Sequence, residues 1–334
     1  MPNELSLNAE ENFVLVSYIL TDPLNLKELD EKGVKIKILL DANPVGGIPL
    51  EEKEILSSLK NAEVYFLDSK SYKNFHYKFA IVDGRTVIIS TENWKKSNRG
   101  FFVEFESEKL AEQLLRLVES DLRYSTKSGK TSDLSGKSGY YMNSEQMEFE
   151  GNVTLFILPD SNPVFDLISS SEVELLIEVP YMRLTWFGTD DSLELIKKAC
   201  SKAKVKILLD SKYSAERNEK IAKFLNSLDC DIEVKLVALK GFDSLHGKMI
   251  YSDGRCLITS ANFNEYGLKL NREIALLMEG EACEFLKKQF YEDWKDRFVL
   301  FDVERLDSPF SSFSSAISIL VAFLVYGVKK RWYR

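Results

Sequence analysis

One pattern is written twice along this chain of 334 residues, and a long internal repeat leaves few architectures open. The run from Val34 to Asp41, VKIKILLD, returns as KVKILLD from Lys204 to Asp210. Some 35 residues beyond each aspartate stands a histidine, within FHYKFAIVDGRTVIIS around His76 and LHGKMIYSDGRCLITS around His246. Upstream of each ILLD run lies a stretch with apolar residues at helical spacing, LNLKELDEK in one copy and DSLELIKKACSKA in the other. Before each of these comes an apolar strand, Phe13 to Leu20 and Val173 to Val179. Strand, helix, strand repeated in that order predicts an α/β fold of two homologous halves, each a mixed, mainly parallel sheet flanked by helices.

The boundaries follow from composition. Residues 1–123 form the first half and residues 151–305 the second. Between them, residues 124–150 include STKSGKTSDLSGKSG, which cannot bury an apolar face and reads as a linker. The second half opens with an extra strand, VTLFILPD, that has no counterpart in the first, so we expect the natural start to lie further upstream. The written start, MPNELSLNAEEN, carries no export signal.

At the other end, residues 309–328 hold an uncharged run that becomes almost wholly apolar from Ala316 to Val328. About 19 such residues at ~1.5 Å each reach roughly 30 Å, enough to cross a bilayer as a C-terminal helix. The basic, aromatic tail at 329–334 suits a headgroup layer. By the positive-inside rule that tail faces the cytoplasm and the large domain lies on the extracytoplasmic side of a single-pass anchor. Cys200, Cys230, Cys256 and Cys283 lack metal-ligand spacing and read as core residues, with a disulfide such as Cys200 to Cys230 left open.

The chemistry sits where the copies agree best. In an extended segment His76 and Lys78 share one face, as do His246 and Lys248. Asp83-Gly84-Arg85 and Asp253-Gly254-Arg255 are hairpin turns that bring Asn93 and Asn262 back near the histidines. The chain has only two histidines, and both occupy the repeated pattern.

This pattern resembles the HxKx4Dx6GSxN signature of the phospholipase D superfamily. Its first copy reads His76, Lys78, Asp83 and Ser90-Thr91-Glu92-Asn93; its second reads His246, Lys248, Asp253 and Thr259-Ser260-Ala261-Asn262. The resemblance spans nearly everything from Phe13 to Phe298. It implies that one imidazole attacks phosphorus while the other protonates the leaving oxygen, with His76 as nucleophile and His246 as acid and base. The chemistry alone also permits the reverse. Lys78, Lys248, Asn93 and Asn262 would then hold the phosphoryl oxygens without a metal or other cofactor. Glu104 and Glu273, each eleven residues beyond its asparagine, are expected to orient the imidazoles. Asp83 and Asp253 are expected to hold the turns, with Thr91 and Ser260 in support. Ser90 and Thr259 stand where the family has glycine, which puts a β-carbon near the phosphate.

These readings imply a phosphodiesterase that cleaves or transfers phosphodiesters. A phospholipid is favoured because the anchor holds the site near a bilayer, and a monomer suffices because one chain supplies both motifs. A net charge of −8 argues against a broad nucleic-acid footprint but leaves a local basic cleft possible. The alternatives are a nuclease acting on DNA or RNA, and a catalytically silent, membrane-tethered binding protein.

Overall fold

The computed structural model describes residues 9–22, 25–94, 98–127, 147–149, 153–186 and 191–295. The first half runs β1 (Asn12–Ser17), α1 (Leu26–Glu31), β2 (Lys35–Asp41), α2 (Leu50–Ser58), β3 (Glu63–Leu67), β4 (Phe79–Val82), β5 (Thr86–Ser90), β6 (Phe102–Glu106), α3 (Glu108–Asp121) and β7 (Ser125–Lys127). The second runs β8 (Met147–Phe149), β9 (Val153–Leu158), α4 (Val164–Ser169), β10 (Glu174–Val179), α5 (Asp191–Cys200), β11 (Lys204–Asp210), α6 (Ala215–Asn226), β12 (Ile232–Val237), β13 (Met249–Ser252), β14 (Arg255–Thr259), β15 (Glu273–Glu279) and α7 (Glu281–Lys295).

Each half builds one sheet, in the orders β6-β5-β4-β1-β2-β3-β7 and β12-β11-β10-β13-β14-β15-β9-β8. The strand, helix, strand repeat gives the expected parallel trios, β1-β2-β3 and β10-β11-β12. The sheets are nevertheless mainly antiparallel, which corrects the sequence reading. From β4 and β13 onward the chain turns back through hairpins, so every remaining neighbour pair is antiparallel. Both ends of the Ser/Gly/Lys-rich segment also add an edge strand, β7 beside β3 and β8 beside β9.

Strand alternation sorts the apolar side chains into three clusters. Phe13 and Leu15 pack with Ile36, Ile38 and Leu40 on the outer face of the first sheet. Leu175, Ile177 and Val179 pack with Val205, Ile207 and Leu209 on the outer face of the second. Val14, Val16 and Leu39 point the other way, into a core shared with Leu176, Leu208 and Met249 of the second half. Helices α3 and α7 complete that shared core. Leu110, Leu114, Leu117 and Val118 line one stripe of α3, and Leu286, Phe290 and Trp294 recur every four residues along α7. Burying a side chain of this size contributes about 1.5–3 kcal/mol, so neither half would keep its inner face dry alone.

All four cysteines, read from sequence as core residues, are paired: Cys200 with Cys230 and Cys256 with Cys283. The first bond ties the end of α5 to the segment before β12. The second ties β14 to α7. No described helix is long and apolar enough to cross a membrane. The expected C-terminal helix at 309–328 and the tail at 329–334 lie outside the described residues.

Candidate active site

The two motif hairpins are built alike. In each, the backbone turns with positive φ at both central residues, Asp83 (49°) and Gly84 (66°) in one, Asp253 (49°) and Gly254 (88°) in the other. This conformation joins twisted antiparallel strands best, and aspartate and glycine tolerate it. Each aspartate then accepts a row of backbone N–H groups from the start of the neighbouring strand. Asp83 takes those of Glu10, Glu11 and Asn12, each at 2.9 Å. Asp253 takes those of Glu172 at 2.7 Å and Glu174 at 2.8 Å. The motif aspartates thus pin the hairpins to β1 and β10, at the end of the strands away from the histidines.

The aspartates that end the ILLD strands act at the other end. Asp41 accepts the N–H of Phe75 at 2.6 Å, and Asp210 that of Leu245 at 2.5 Å. These clamps fix the residue just before each histidine and account for the constant spacing between strand and motif. Burial is the main cause that raises the Asp41 carboxyl to about 6.

Each histidine strand is also stitched to the opposite half. The His76 N–H donates to the Arg272 carbonyl at 2.8 Å, and the His246 N–H donates to the Arg99 carbonyl at 2.8 Å. The two imidazoles therefore open on a single cleft of about 850 Å³, also lined by Asn93, Asn262, Asn74, Asn271 and Tyr18. The sequence-predicted histidines and asparagines all face this cleft. Tyr18 packs edge-on against His76, with ring centroids 4.6 Å apart.

Both lysines are fully buried beneath the imidazoles. Lys78 Nζ lies 3.0 Å from His76 Nδ1 and donates to the His76 carbonyl oxygen. Lys248 Nζ lies 2.8 Å from His246 Nδ1 and donates to the carbonyl oxygens of His246 at 2.8 Å and Thr91 at 3.1 Å. Burial pulls Lys78 down to about 8 and Lys248 down to about 7. Neither lysine lines the cleft, and a phosphodiester anion bound in it would draw both back towards the cationic form.

The carboxylates at the imidazoles are Glu273 and Glu92. Glu273 Oε1 lies 2.8 Å from His76 Nδ1, and its Oε2 accepts from Ser260 Oγ at 2.5 Å. Asn271 Nδ2 donates to Glu273 Oε1 at 3.1 Å. Glu92 Oε2 lies 2.9 Å from His246 Nδ1 and is 1% exposed. Glu104, expected from its spacing to orient an imidazole, is instead an exposed residue of β6 opposite Ile88. Burial is the largest influence on both site carboxyls and pushes them up. The groups around them outweigh it, the His76 ring with Lys78 at Glu273 and the His246 ring with Lys248 at Glu92, and hold both below the usual range. Burial also lowers both imidazoles, His76 to about 4, against the opposing pull of their carboxylates.

The remaining motif residues tie the turns. Thr91 Oγ1 accepts the N–H of Phe101 at 2.9 Å, and Ser260 Oγ accepts that of Ile274 at 3.0 Å. Ser90 Oγ and Thr259 Oγ1, at the family's glycine position, are buried and accept the N–H groups of Glu92 and Ala261 at 2.9 and 3.0 Å. Their β-carbons point inward with the hydroxyls, so the added bulk serves the turn. No cluster of three or more metal-ligating side chains occurs among the described residues.

Residues 5–122 and 164–294 match the family model described as cardiolipin synthase, PLD-like domain. No curated protein matches the chain. Among solved structures, phosphatidylserine synthase from Haemophilus influenzae Rd KW20 aligns with a TM-score of 0.61 and 14% identity, over 86% of this chain and 81% of its own. Polyphosphate kinase from Porphyromonas gingivalis aligns with a TM-score of 0.53 and 10% identity, over 86% of this chain and 46% of its own. At these identities the likeness is one of fold.

Proposed function

The chain belongs to the cardiolipin synthase, PLD-like domain family, and from that membership we propose that it cleaves or transfers phospholipid phosphodiesters through a phosphohistidine. The observation that carries this reading is the meeting of His76 and His246 in one cleft, each with a carboxylate at Nδ1 and a buried lysine beneath. With Nδ1 engaged, Nε2 is the nitrogen left to act on substrate. In the first step His76 Nε2 bonds to phosphorus, the bond to the leaving oxygen breaks, and that oxygen takes the proton of His246. In the second, water or an alcohol gives its proton to His246 as its oxygen bonds to phosphorus and the P–N bond breaks. Attack is assigned to His76 because the resemblance puts the nucleophile in the first motif; burial lowers both rings in the same direction. Lys78, Lys248, Asn93 and Asn262 would stabilise the charge gathering on the equatorial oxygens.

A lipid substrate is favoured by the mouth of the cleft. Val45, 87% exposed, and Tyr266, 46% exposed, both line it, and Leu50, 68% exposed, precedes the lining residue Glu51. Exposed apolar and amphipathic side chains around a polar pocket suit a site that works against a headgroup layer. The two disulfides suit an oxidising compartment and so support an extracytoplasmic domain.

A second reading draws on the same rim. Tyr181 and Tyr213 pair with centroids 5.5 Å apart, and Arg183 also lines the cleft, a combination on which unpaired bases can stack. Purified protein should be offered a labelled phospholipid in mixed micelles, a single-stranded DNA and a single-stranded RNA. The lipid reading expects kcat/KM at least about tenfold higher on phospholipid, a difference of about 1.4 kcal/mol in transition-state binding. A preference of that size for either nucleic acid replaces it with the nuclease reading.

A further inference from the structure

The two halves deliver the carboxylate at the imidazole from different backbone positions. Matching hydrogen bonds define the equivalence. Ser90 N–H donates to the Lys78 carbonyl at 2.9 Å, as Thr259 N–H does to that of Lys248 at 3.0 Å. Glu92 and Ala261 each donate to the hydroxyl two residues back. Phe101 and Ile274 each donate to the hydroxyl of the motif's next residue, Thr91 or Ser260. In this register Glu92 corresponds to Ala261, and Gly100 corresponds to Glu273.

The second half therefore has alanine in the turn and glutamate at the strand, and the first half has the reverse. Space accounts for the linkage. A β-carbon built on Gly100 would lie 2.8 Å from Glu92 Cβ and 3.2 Å from Thr91 Oγ1, so the side chain of Glu92 occupies the place that one at position 100 would need. Arg99 and Arg272, one residue earlier, hold the backbone N–H of His246 and His76 alike, so position 100 borders His246 as Glu273 borders His76. The loop from Asn93 to Gly100 is also four residues shorter than that from Asn262 to Glu273.

We propose that Glu92 is the positioning carboxylate of His246, a transposed counterpart of Glu273, and that Gly100 is glycine because Glu92 has taken that space. Three consecutive residues of the first half then organise the second half's catalytic pair. Thr91 supplies a carbonyl to Lys248, Glu92 places a carboxylate oxygen 2.9 Å from His246 Nδ1, and Asn93 faces the cleft. Glu273 performs the reciprocal service for His76, so each imidazole is oriented by the half that does not carry it.

The proposal rests on the phosphodiesterase reading for its kinetic consequence but not for its structural one. With only two histidines in the chain, the imidazole ¹⁵N resonances can be assigned from single variants. Glu92→Gln should lower the pKa of His246 and shift its tautomer away from Nδ1–H, leaving the His76 resonances in place. It should also lower kcat on a phosphodiester by about 10²-fold or more with KM nearly unchanged, since the orienting group acts through the imidazole.

The double variant Glu92→Gly with Gly100→Glu moves the carboxylate to the strand position. Glycine is used at 92 because alanine would leave a β-carbon at 2.8 Å. It should restore the His246 tautomer and recover at least about tenfold of the lost turnover relative to Glu92→Gly alone. The proposal is overturned if His246 keeps its pKa and tautomer in Glu92→Gln, or if that variant stays within about threefold of wild-type turnover at equal thermal stability. Should the wild type turn over no phosphodiester, the functional reading fails, and the imidazole spectra still decide the role of Glu92.

Discussion

Alanine at either His76 or His246 is expected to lower steady-state turnover of bis(p-nitrophenyl) phosphate by at least about 10⁴-fold, with both proteins folded. Residues that act as one catalytic unit lose nearly all rate enhancement when any one is removed. The two losses should differ in kind. On the proposed assignment the loss of His76 removes the nucleophile, so no p-nitrophenolate should be released at all. Without His246 the first step survives in part, because p-nitrophenol is a good leaving group that needs little protonation. A burst of one equivalent or less, followed by a stall, is the expected trace. A burst in His76→Ala and none in His246→Ala would exchange the roles of the two rings.

The second large effect concerns stability. Arg272 is 1% exposed and ties the halves together. Its guanidinium meets Asp160 at 2.7 Å, Tyr72 Oη at 3.0 Å and Asp121 of α3 at 3.4 Å, and Asp121 is itself 1% exposed and bonded to Tyr77 Oη at 2.6 Å. Arg272→Ala leaves Asp121 buried without its cation, and breaking a buried pair from one side costs about 3–5 kcal/mol. Its counterpart in the repeat, Arg99, pairs with Asp293 at 3.2 Å with both side chains near 15% exposed, at 15% and 14%. That pair lies nearer the solvent, so Arg99→Ala should cost less, about 1–3 kcal/mol. Urea unfolding of the two variants should separate them by at least about 1 kcal/mol, with Arg272→Ala the less stable. Equal losses would mean that Arg272 is not the strut between the halves.

Much of this arrangement was legible in the residues. Repetition of the ILLD run and of the His-Lys motif gave the two halves, the central parallel strands and the facing histidines, because both signals are local and occur twice. The sheet as a whole was misread for the same reason. Strand, helix, strand marks parallel neighbours, and the hairpins after each histidine add antiparallel partners that outnumber them. Three-residue edge strands such as β7 carry no periodic signal to find. The choice of Glu104 failed on loop length. Counting eleven residues from Asn93 lands on Glu104, but a connection four residues shorter brings Gly100 to the equivalent point. A signal for Glu92 existed in the sequence, a carboxylate inside a turn whose twin has Ala261, yet only the fold shows that the opposite histidine is its neighbour. Spacing could not pair the cysteines either, since it says nothing of side-chain direction.

The proposed chemistry requires both imidazoles of one chain to serve one phosphorus atom. Mixing His76→Ala with His246→Ala protein at equal, high concentration tests this in a single assay. Because every cleft in the mixture still lacks one ring, turnover should stay at the sum of the two separate variants. Recovery to a quarter of wild-type rate or more would mean that the reacting pair is assembled between two chains, and would contradict it.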